Sequence, residues 1–226
     1  VSVTVTDGAG NVGAPETTSL TVAINDVPDP VINTPFVDGL LSLAEATAGQ
    51  VLRGSTGITG TGQKVTVSID GGTPVNATVN ADGSWSLNLD PATLTGLANT
   101  THTISVVATD SYGNSVPVSG IFDAILNLPD PTIVNPFGPG LGISEAAGAV
   151  IITGTTGIPV VAGQDQTVTL KVDINGVVYD GVVDASGTWT VTLPQGALSG
   201  LSNGAHQITV TVIDAAGNPA TETLEF

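Results

Sequence analysis

Two short proline-rich segments constrain the fold more than any other feature of this sequence. Residues 27–30 read Val-Pro-Asp-Pro, and residues 128–131 read Leu-Pro-Asp-Pro. Proline fixes its own φ and moves the preceding residue out of the helical region, so each segment is a stiff, extended tether around one aspartate. The residues that follow also repeat, and the spacing of about one hundred residues equals the size of one β-sandwich domain. We therefore interpret the tethers as junctions between repeats.

The tethers divide the 226 residues into three parts. Residues 26–125 and 126–226 are predicted to be two complete repeats. Residues 1–25 are interpreted as the last two strands of a preceding, incomplete repeat, with the returning strand at 18–24. A lone hairpin is marginal in water, so we expect this one to be mobile or to pack against a neighbour.

Alternation of apolar and polar residues predicts strands throughout both repeats, as in residues 65–70. Seven strands per repeat, separated by turn signals, indicate an all-β protein of tandem Ig-like, seven-stranded antiparallel β-sandwiches arranged end to end. Residues 41–45 and 142–145 are among the predicted strands. Helical periodicity is unconvincing everywhere, and only residues 91–97 and 195–201 are expected to hold a helical turn each.

The two tryptophans are predicted to lie in the two cores. Trp85 and Trp189 each follow a tight turn at the start of a strand. An exposed sugar-binding platform is the alternative role, but a core tryptophan is typical of a sandwich fold. The other predicted core residues are Val67, Ile104 and Val106 in the first repeat, and Val172, Ile208 and Val210 in the second.

The charge of the chain is strongly one-sided, with 20 acidic residues against three lysines and arginines and a net charge of −17. Nucleic acid and anionic membranes both require basic surface, so neither is expected as a partner. The acids are mostly aspartates, which suit turns and hard cations, although they would also serve simply to keep the surface soluble. The chain has no cysteine. It therefore has neither a disulfide framework nor a thiol nucleophile.

The sequence offers no convincing catalytic site. His102 and His206 occupy the same place in each repeat, which favours a structural role in a turn over catalysis. No feature indicates a cleft with two opposed carboxylates, a phosphate-binding loop or a zinc cluster. We therefore expect a protein that is not an enzyme.

Several motifs recur in the two repeats. In the second repeat they are Ile-Ser-Glu-Ala at 143–146, Ile-Thr-Gly-Thr-Thr at 152–156, Ala-Ser-Gly-Thr-Trp at 185–189 and Asp-Ala-Ala-Gly-Asn at 214–218. The first repeat has related motifs at matching places. Together these motifs resemble the bacterial Ig-like repeats of giant type I-secreted surface adhesins, which include the biofilm-associated Bap-like proteins. The resemblance implies a rod of tandem sandwiches at the surface of a Gram-negative bacterium, with calcium bound at or near domain junctions. Asp26 at the first junction is replaced by Asn127 at the second, so equal calcium occupancy is not implied.

Three functions are compatible with these features. The first is a structural spacer in an adhesin or biofilm protein, with neighbouring repeats of the same chain as its partners. The second is a module that binds carbohydrate or a host protein directly, for which few aromatic residues are available. The third is an accessory region of a secreted hydrolase.

The topology of a sandwich places a calcium site at each tether. The first strand begins at the pole where the loop between the last two strands lies, so Asp29 is expected near Asp110, and Asp130 near Asp214. Calcium accepts six to eight oxygen ligands, and two adjacent carboxylates would repel each other without a cation. The alternative is that the loop aspartates only form Asx turns. The full set of candidate calcium ligands, in which Glu45 and Asp123 are the weaker members, is Asp26, Asp29, Glu45, Asp110, Asp123, Asp130 and Asp214.

Overall fold

The computed structural model describes residues 1–22, 27–158, 169–174 and 176–226, and only the backbone of residues 169–173. The predicted all-β class is confirmed: two β-sandwiches follow a short N-terminal hairpin. The hairpin pairs β1 (Ser2–Val3) with β2 (Glu16–Thr17). The returning strand therefore begins before the predicted residues 18–24, of which residues 23 and 24 lie outside the described part of the chain. The exact boundaries of the repeats stay a prediction.

The first sandwich contains two facing sheets. Its strands are β3 (Val31–Ile32), β4 (Leu40–Ser42), β5 (Gln50–Ser55), β6 (Lys64–Ile69), β7 (Val75–Asn76), β8 (Thr78–Val79), β9 (Ser84–Leu89), β10 (Thr101–Thr109) and β11 (Ser115–Ile125). One sheet has the order β4-β11-β10-β6-β7 and the other β3-β5-β9-β8. All neighbours are antiparallel except β4 and β11, which pair in parallel. This parallel pair departs from the predicted purely antiparallel arrangement.

The second sandwich repeats this plan. Its strands are β12 (Thr132–Val134), β13 (Val150–Thr155), β14 (Thr169–Ile174), β15 (Val177–Asp180), β16 (Val182–Val183), β17 (Thr188–Leu193), β18 (Gln207–Ile213) and β19 (Pro219–Glu225). The sheets have the orders β12-β13-β17-β16 and β15-β14-β18-β19.

Each sandwich encloses its own apolar core, because alternate residues of each strand point inward. On β10, the inward set His102, Ile104, Val106 and Ala108 is buried. Trp85 and Trp189 lie at the centres of the two cores, as predicted. The other predicted core residues, Val67, Ile104, Val106, Ile208 and Val210, are also buried, while the side chain of Val172 lies outside the described part.

The described residues contain three short helices between the strands, and two of these helices replace predicted strands. They are α1 (Leu43–Ala48), α2 (Pro91–Thr95) and α3 (Ile143–Ala147). The strand predicted at 41–45 is therefore wrong after Ser42, because Ser42 and Glu45 form a capping box that starts α1. The strand predicted at 142–145 is also wrong, since α3 occupies those residues from Ile143 onwards. The helical turn expected at 91–97 is present as α2, whereas residues 195–201 form turns.

Candidate junction site

Three loops with the sequence Asp-x-x-Gly-Asn share one geometry, and we call them the Asx loops. They span residues 7–11, 110–114 and 214–218. In the third loop, Asp214 Oδ1 accepts hydrogen bonds from the amides of Ala216 and Asn218 at 3.0 and 2.9 Å. Asn218 Nδ2 donates to Asp214 Oδ2 at 2.8 Å. The glycine of each loop has a positive φ, 84° at Gly217, which explains the choice of glycine there.

Hydrogen bonding within the first two Asx loops favours the charged form of their aspartates, Asp7 and Asp110. The Asn114 side-chain amide, followed by loop backbone amides, lowers the pKa of Asp110 below its ordinary value of 3.8. Asn11 has the same effect on the pKa of Asp7. These are the hydrogen bonds expected of Asx turns, so most acceptor sites of the loop carboxylates already have donors.

Asn218 also joins the second sandwich to the first. Its Nδ2 donates to the Ile125 carbonyl at 2.7 Å, and its Oδ1 accepts from the Leu43 amide at 2.9 Å. Ile125 ends β11 and Leu43 begins α1, so both partners lie at the far end of the first sandwich. Asn218 is only 2% exposed. The two sandwiches therefore meet end-on through a buried, fully bonded side chain.

Apolar contacts surround this polar bridge. Leu43, Leu128 and Pro219 line a shared groove between α1, the linker and the start of β19. Sequence reasoning noticed the Asx loop but assigned its chemistry to Asp214 and overlooked Asn218. The signal was the asparagine that closes all three copies of the motif.

The linker between the sandwiches is held at both ends. At its start, Asn99 Oδ1 accepts from the amides of Leu126 and Asn127. At its end, Pro129 is buried, and the Asp130 backbone lies against Gly157. A Cβ at Gly157 would stand 2.0 Å from the Asp130 carbonyl oxygen, so only glycine permits this approach. These contacts restrict the linker in addition to the φ values that its prolines fix.

The first tether also packs against a glycine, although through a proline side chain. A Cβ at Gly57 would stand 2.8 Å from Pro28 Cβ, and Pro30 is buried while Asp29 is exposed. A Cβ at Gly62 would contact the side chain of Ser111, which belongs to the second Asx loop. The tether and the second Asx loop thus each lie against the loop at residues 57–62, while the proximity of Asp29 to Asp110 stays a prediction.

The remaining candidate calcium ligands have other contacts. Glu45 Oε2 accepts from the Ser42 amide and hydroxyl at 3.0 and 2.9 Å, which caps α1. Asp123 accepts a short hydrogen bond from the Thr101 hydroxyl, and Asp130 is exposed. Asp26 lies outside the described residues. Among the residues described, no three acidic or histidine side chains are grouped closely enough to hold a metal ion.

His102 is part of a separate polar contact in the first core. Its Nδ1 lies 2.5 Å from Asp70 Oδ2, and its Nε2 lies 2.8 Å from the Ala98 carbonyl. The hydrogen bond from His102 is the main cause of a lowered pKa for Asp70. Both ring nitrogens face acceptors, so both can donate only in the imidazolium form. The contact fastens β10 to the end of β6, which agrees with the structural role predicted for this histidine.

Comparison with known families bears on the second sandwich directly. Residues 154–226 match the family model of the bacterial Ig-like domain. Over these residues, the bacterial Ig-like part of the resemblance is thereby confirmed. The first sandwich has the same strand plan, and the Ig-like fold is thus present twice.

The chain spans only part of the length of each of three similar proteins. Halomucin of Haloquadratum walsbyi is 25% identical over 152 residues, which are 67% of this chain and 2% of halomucin. A Ca2+-stabilized adhesin that helps an Antarctic bacterium reach out and bind ice is 27% identical; the match covers 99% of this chain and 54% of that one, with a TM-score of 0.48. A structure concerned with host cell surface retention of a 1.5-MDa bacterial ice-binding adhesin is also 27% identical, covering 99% and 71%, with a TM-score of 0.47.

The helices found in the described part of the chain are all too short and too polar to span a bilayer.

Proposed function

We propose that this chain is a structural spacer within a large bacterial surface adhesin, where tandem Ig-like repeats hold an adhesive region away from the cell. Its role is mechanical rather than catalytic, and its partners are the neighbouring repeats. Such a spacer acts in cell adhesion or biofilm formation. It is extracellular and, by the resemblance to type I-secreted adhesins, belongs to the surface of a Gram-negative bacterium.

The observation that carries the proposal is the end-on junction through Asn218. Flexible linkers between domains are usually solvated, whereas this side chain is buried and bonds to two backbone groups of the preceding sandwich. A spacer must hold each repeat at a fixed orientation to the next. A hydrogen-bonded junction with a proline-stiffened linker restricts that orientation. Burial of both tryptophans removes the indole rings that direct carbohydrate binding would use, although Tyr112 is 62% exposed.

The distance between the sandwiches tests this proposal. Because the chain has no cysteine, spin labels can be placed uniquely at Val51→Cys and Val182→Cys, whose side chains are exposed. We expect one narrow distance distribution for the chain. Asn218→Ala should broaden it, since both bonds across the junction are lost. Asn11→Ala is the matched control, because it removes the same loop asparagine from the exposed hairpin. A broad distribution in the unsubstituted chain would rule out a rigid spacer.

We further propose that calcium stiffens the junctions through the tether aspartates. The support is the net charge of −17 and the exposed position of Asp29 and Asp130 on proline-fixed backbone. Asp110 and Asp214 would contribute only those carboxylate acceptor sites that do not already accept hydrogen bonds within their own Asx loops. Asp26 would add a carboxylate at the first junction alone, so that junction should bind more tightly. One of the compared adhesins is described as Ca2+-stabilized.

Calorimetric titration with calcium tests this second part. We expect uptake at up to millimolar calcium, together with a rise in melting temperature, because a ligand that binds only the folded form stabilises it. Asp29→Asn and Asp130→Asn should each remove uptake at one junction. Glu16→Gln, which removes a carboxylate from the hairpin, should leave uptake unchanged. Absence of any heat at millimolar calcium would refute calcium binding and leave the spacer proposal standing.

A further inference from the structure

We infer that His102 is a proton-dependent clamp on the linker between the sandwiches, which holds the linker firmly when the ring is charged and less firmly when the ring is neutral. The clamp consists of the His102 ring, its two acceptors on Asp70 and Ala98, and the segment 98–100. The ring is buried and stacks on Phe122, with the ring centroids 5.3 Å apart. This packing fixes which acceptor each ring nitrogen faces.

The segment 98–100 connects the ring to the linker. Ala98 is exposed, so hydrogen bonds rather than apolar burial hold it in place. Its carbonyl accepts from His102 Nε2 at 2.8 Å. The next side chain along, Asn99, accepts through Oδ1 from the two amides of residues 126–127, where the linker begins. A movement of Ala98 therefore moves the residue that holds the linker.

Removal of one proton from the ring breaks one of its two contacts. A charged imidazole donates from both nitrogens, whereas a neutral imidazole has one donor and one lone pair. The remaining proton stays on Nδ1, because the hydrogen bond to the Asp70 carboxylate is charge-assisted and the bond to a carbonyl is not. The Nε2 lone pair then faces the Ala98 carbonyl oxygen, and two acceptors at that distance repel each other. Ala98 moves away from the ring, and Asn99 moves with it.

Asp70 is the charged group that faces the ring. It ends the β6 side of the contact, while Lys64 lies at the opposite end of that strand. On β11, Asp123 follows Phe122 and lies on the other face of the strand, where it accepts from the Thr101 hydroxyl. In α2, the Asp90 carboxylate accepts hydrogen bonds from the first turn of its own helix. The charge state of the ring is therefore coupled to Asp70.

The second sandwich offers a natural comparison. His206 Nε2 lies 2.7 Å from the Ser202 carbonyl, four residues earlier, as in the first sandwich. Strand pairing aligns residues 69–70 with residues 174–175, and the sequence has asparagine where the first sandwich has Asp70. That asparagine lies outside the described residues. Because an asparagine side chain donates as well as accepts, its sequence position does not call for a charged ring.

Nitrogen NMR of the imidazole rings and amide exchange together test the clamp between about pH 5.5 and pH 8.5, a range in which histidine side chains change charge. The chain has only two histidines, so their signals are readily assigned. We expect His102 to carry protons on both nitrogens at the low end and on Nδ1 alone at the high end. The protection of the amides of residues 126–127, taken relative to the intrinsic exchange rate at each pH, should fall by about tenfold over this range, as for the loss of one hydrogen bond.

Two variants separate the clamp from other causes of pH dependence. Asp70→Asn should make the protection of residues 126–127 constant across the range, because the ring can then be bonded on both sides without a charge. Asparagine also tolerates the positive φ of 51° at this position. Asn99→Ala should likewise remove the pH dependence of the linker amides, but it should leave the titration of the His102 ring unchanged.

Three results would overturn the proposal. They are a His102 ring with the same charge at both ends of the pH range, constant protection of residues 126–127 in the unsubstituted chain, and a pH dependence that persists in Asp70→Asn. The first two need no variant, so the test does not depend on the folding of Asp70→Asn. The inference adds regulation to the proposed spacer. Constant protection would refute the clamp and leave the spacer, which is tested by the distance between the sandwiches, standing.

Discussion

At the scale of single residues, each core depends on a tryptophan packed onto a glycine. The Trp189 indole N–H donates to the carbonyls of Thr132 and Thr155, both at 3.1 Å. The ring can reach them because Gly154 has no side chain. A Cβ there would stand 1.9 Å from the Thr132 carbonyl oxygen and 2.6 Å from the ring. Gly54 has the same relation to Trp85 in the first sandwich.

Gly154→Ala should therefore destabilise the second sandwich. The added methyl group would force both the Thr132 backbone and the Trp189 ring to move. Overpacking of this kind lowers the free energy of unfolding by about 1–3 kcal/mol or more. We expect a lower midpoint of denaturant unfolding, measured by tryptophan fluorescence. Gly200→Ala is the control, since no atom lies within 4 Å of a Cβ at that position. Equal midpoints for the two variants would contradict the steric argument.

The contact between Asp70 and His102 predicts a dependence of stability on pH. A carboxyl group whose pKa is lowered in the folded state contributes stability above its ordinary value of 3.8 and loses it as the pH falls through the lower folded value. Asp70→Asn should therefore lower the melting temperature of the first sandwich at pH 5 to 7. The difference from the unsubstituted chain should shrink as the pH falls below about 4. A difference that stays constant between pH 7 and pH 3 would show that the carboxylate charge is not involved.

At the scale of elements, strands were predictable, and so was the helical turn of α2, whereas α1 and α3 were predicted as strands. Alternation marks β6 and β10 directly, because one face of each strand is buried. Helix α1 is six residues long, too short to show a 3.6-residue period, and its apolar residues resemble a strand. The capping box formed by Ser42 and Glu45 was the available signal.

Removal of the cap should weaken the first sandwich measurably. Glu45→Ala deletes the acceptor for both the Ser42 amide and hydroxyl, and losing such a cap costs about 1 kcal/mol. The free energy of unfolding from urea titration should fall by about that amount. Ser144→Ala, an exposed site within α3, is the comparison and should be neutral. A neutral Glu45→Ala would mean that the cap has no role in stability.

At the scale of the whole molecule, the sequence predicted the location of the junction but not its chemistry. Proline and the repeated tetrapeptide were sufficient to place the tethers, because both act through local backbone geometry. The hydrogen bond from Leu43 to Asn218 joins residues 175 positions apart, so no local sequence pattern predicts it. Charge patterns drew attention to the aspartates, whereas the asparagine beside them makes the contact between sandwiches.

The parallel pairing of β4 with β11 has a consequence for a chain under tension. A pull on both ends of the first sandwich draws residues 39–42 towards one pole and the end of β11 towards the other. The hydrogen bonds of this pair lie across the pulling direction, so they are loaded in shear and must break together rather than one by one.

We therefore expect the parallel pair of β4 and β11 to provide most of the mechanical resistance of the first sandwich. Asp123→Pro removes the amide that donates to the Gly39 carbonyl at 2.9 Å and should lower the unfolding force in single-molecule pulling. Ser119→Pro is the matched control, because its amide shares the outward side of β11 on which Pro117 already lies. Equal unfolding forces for the two variants would place the resistance elsewhere. A surface protein built in this way would yield to tension by sudden loss of a whole repeat, not by gradual stretching.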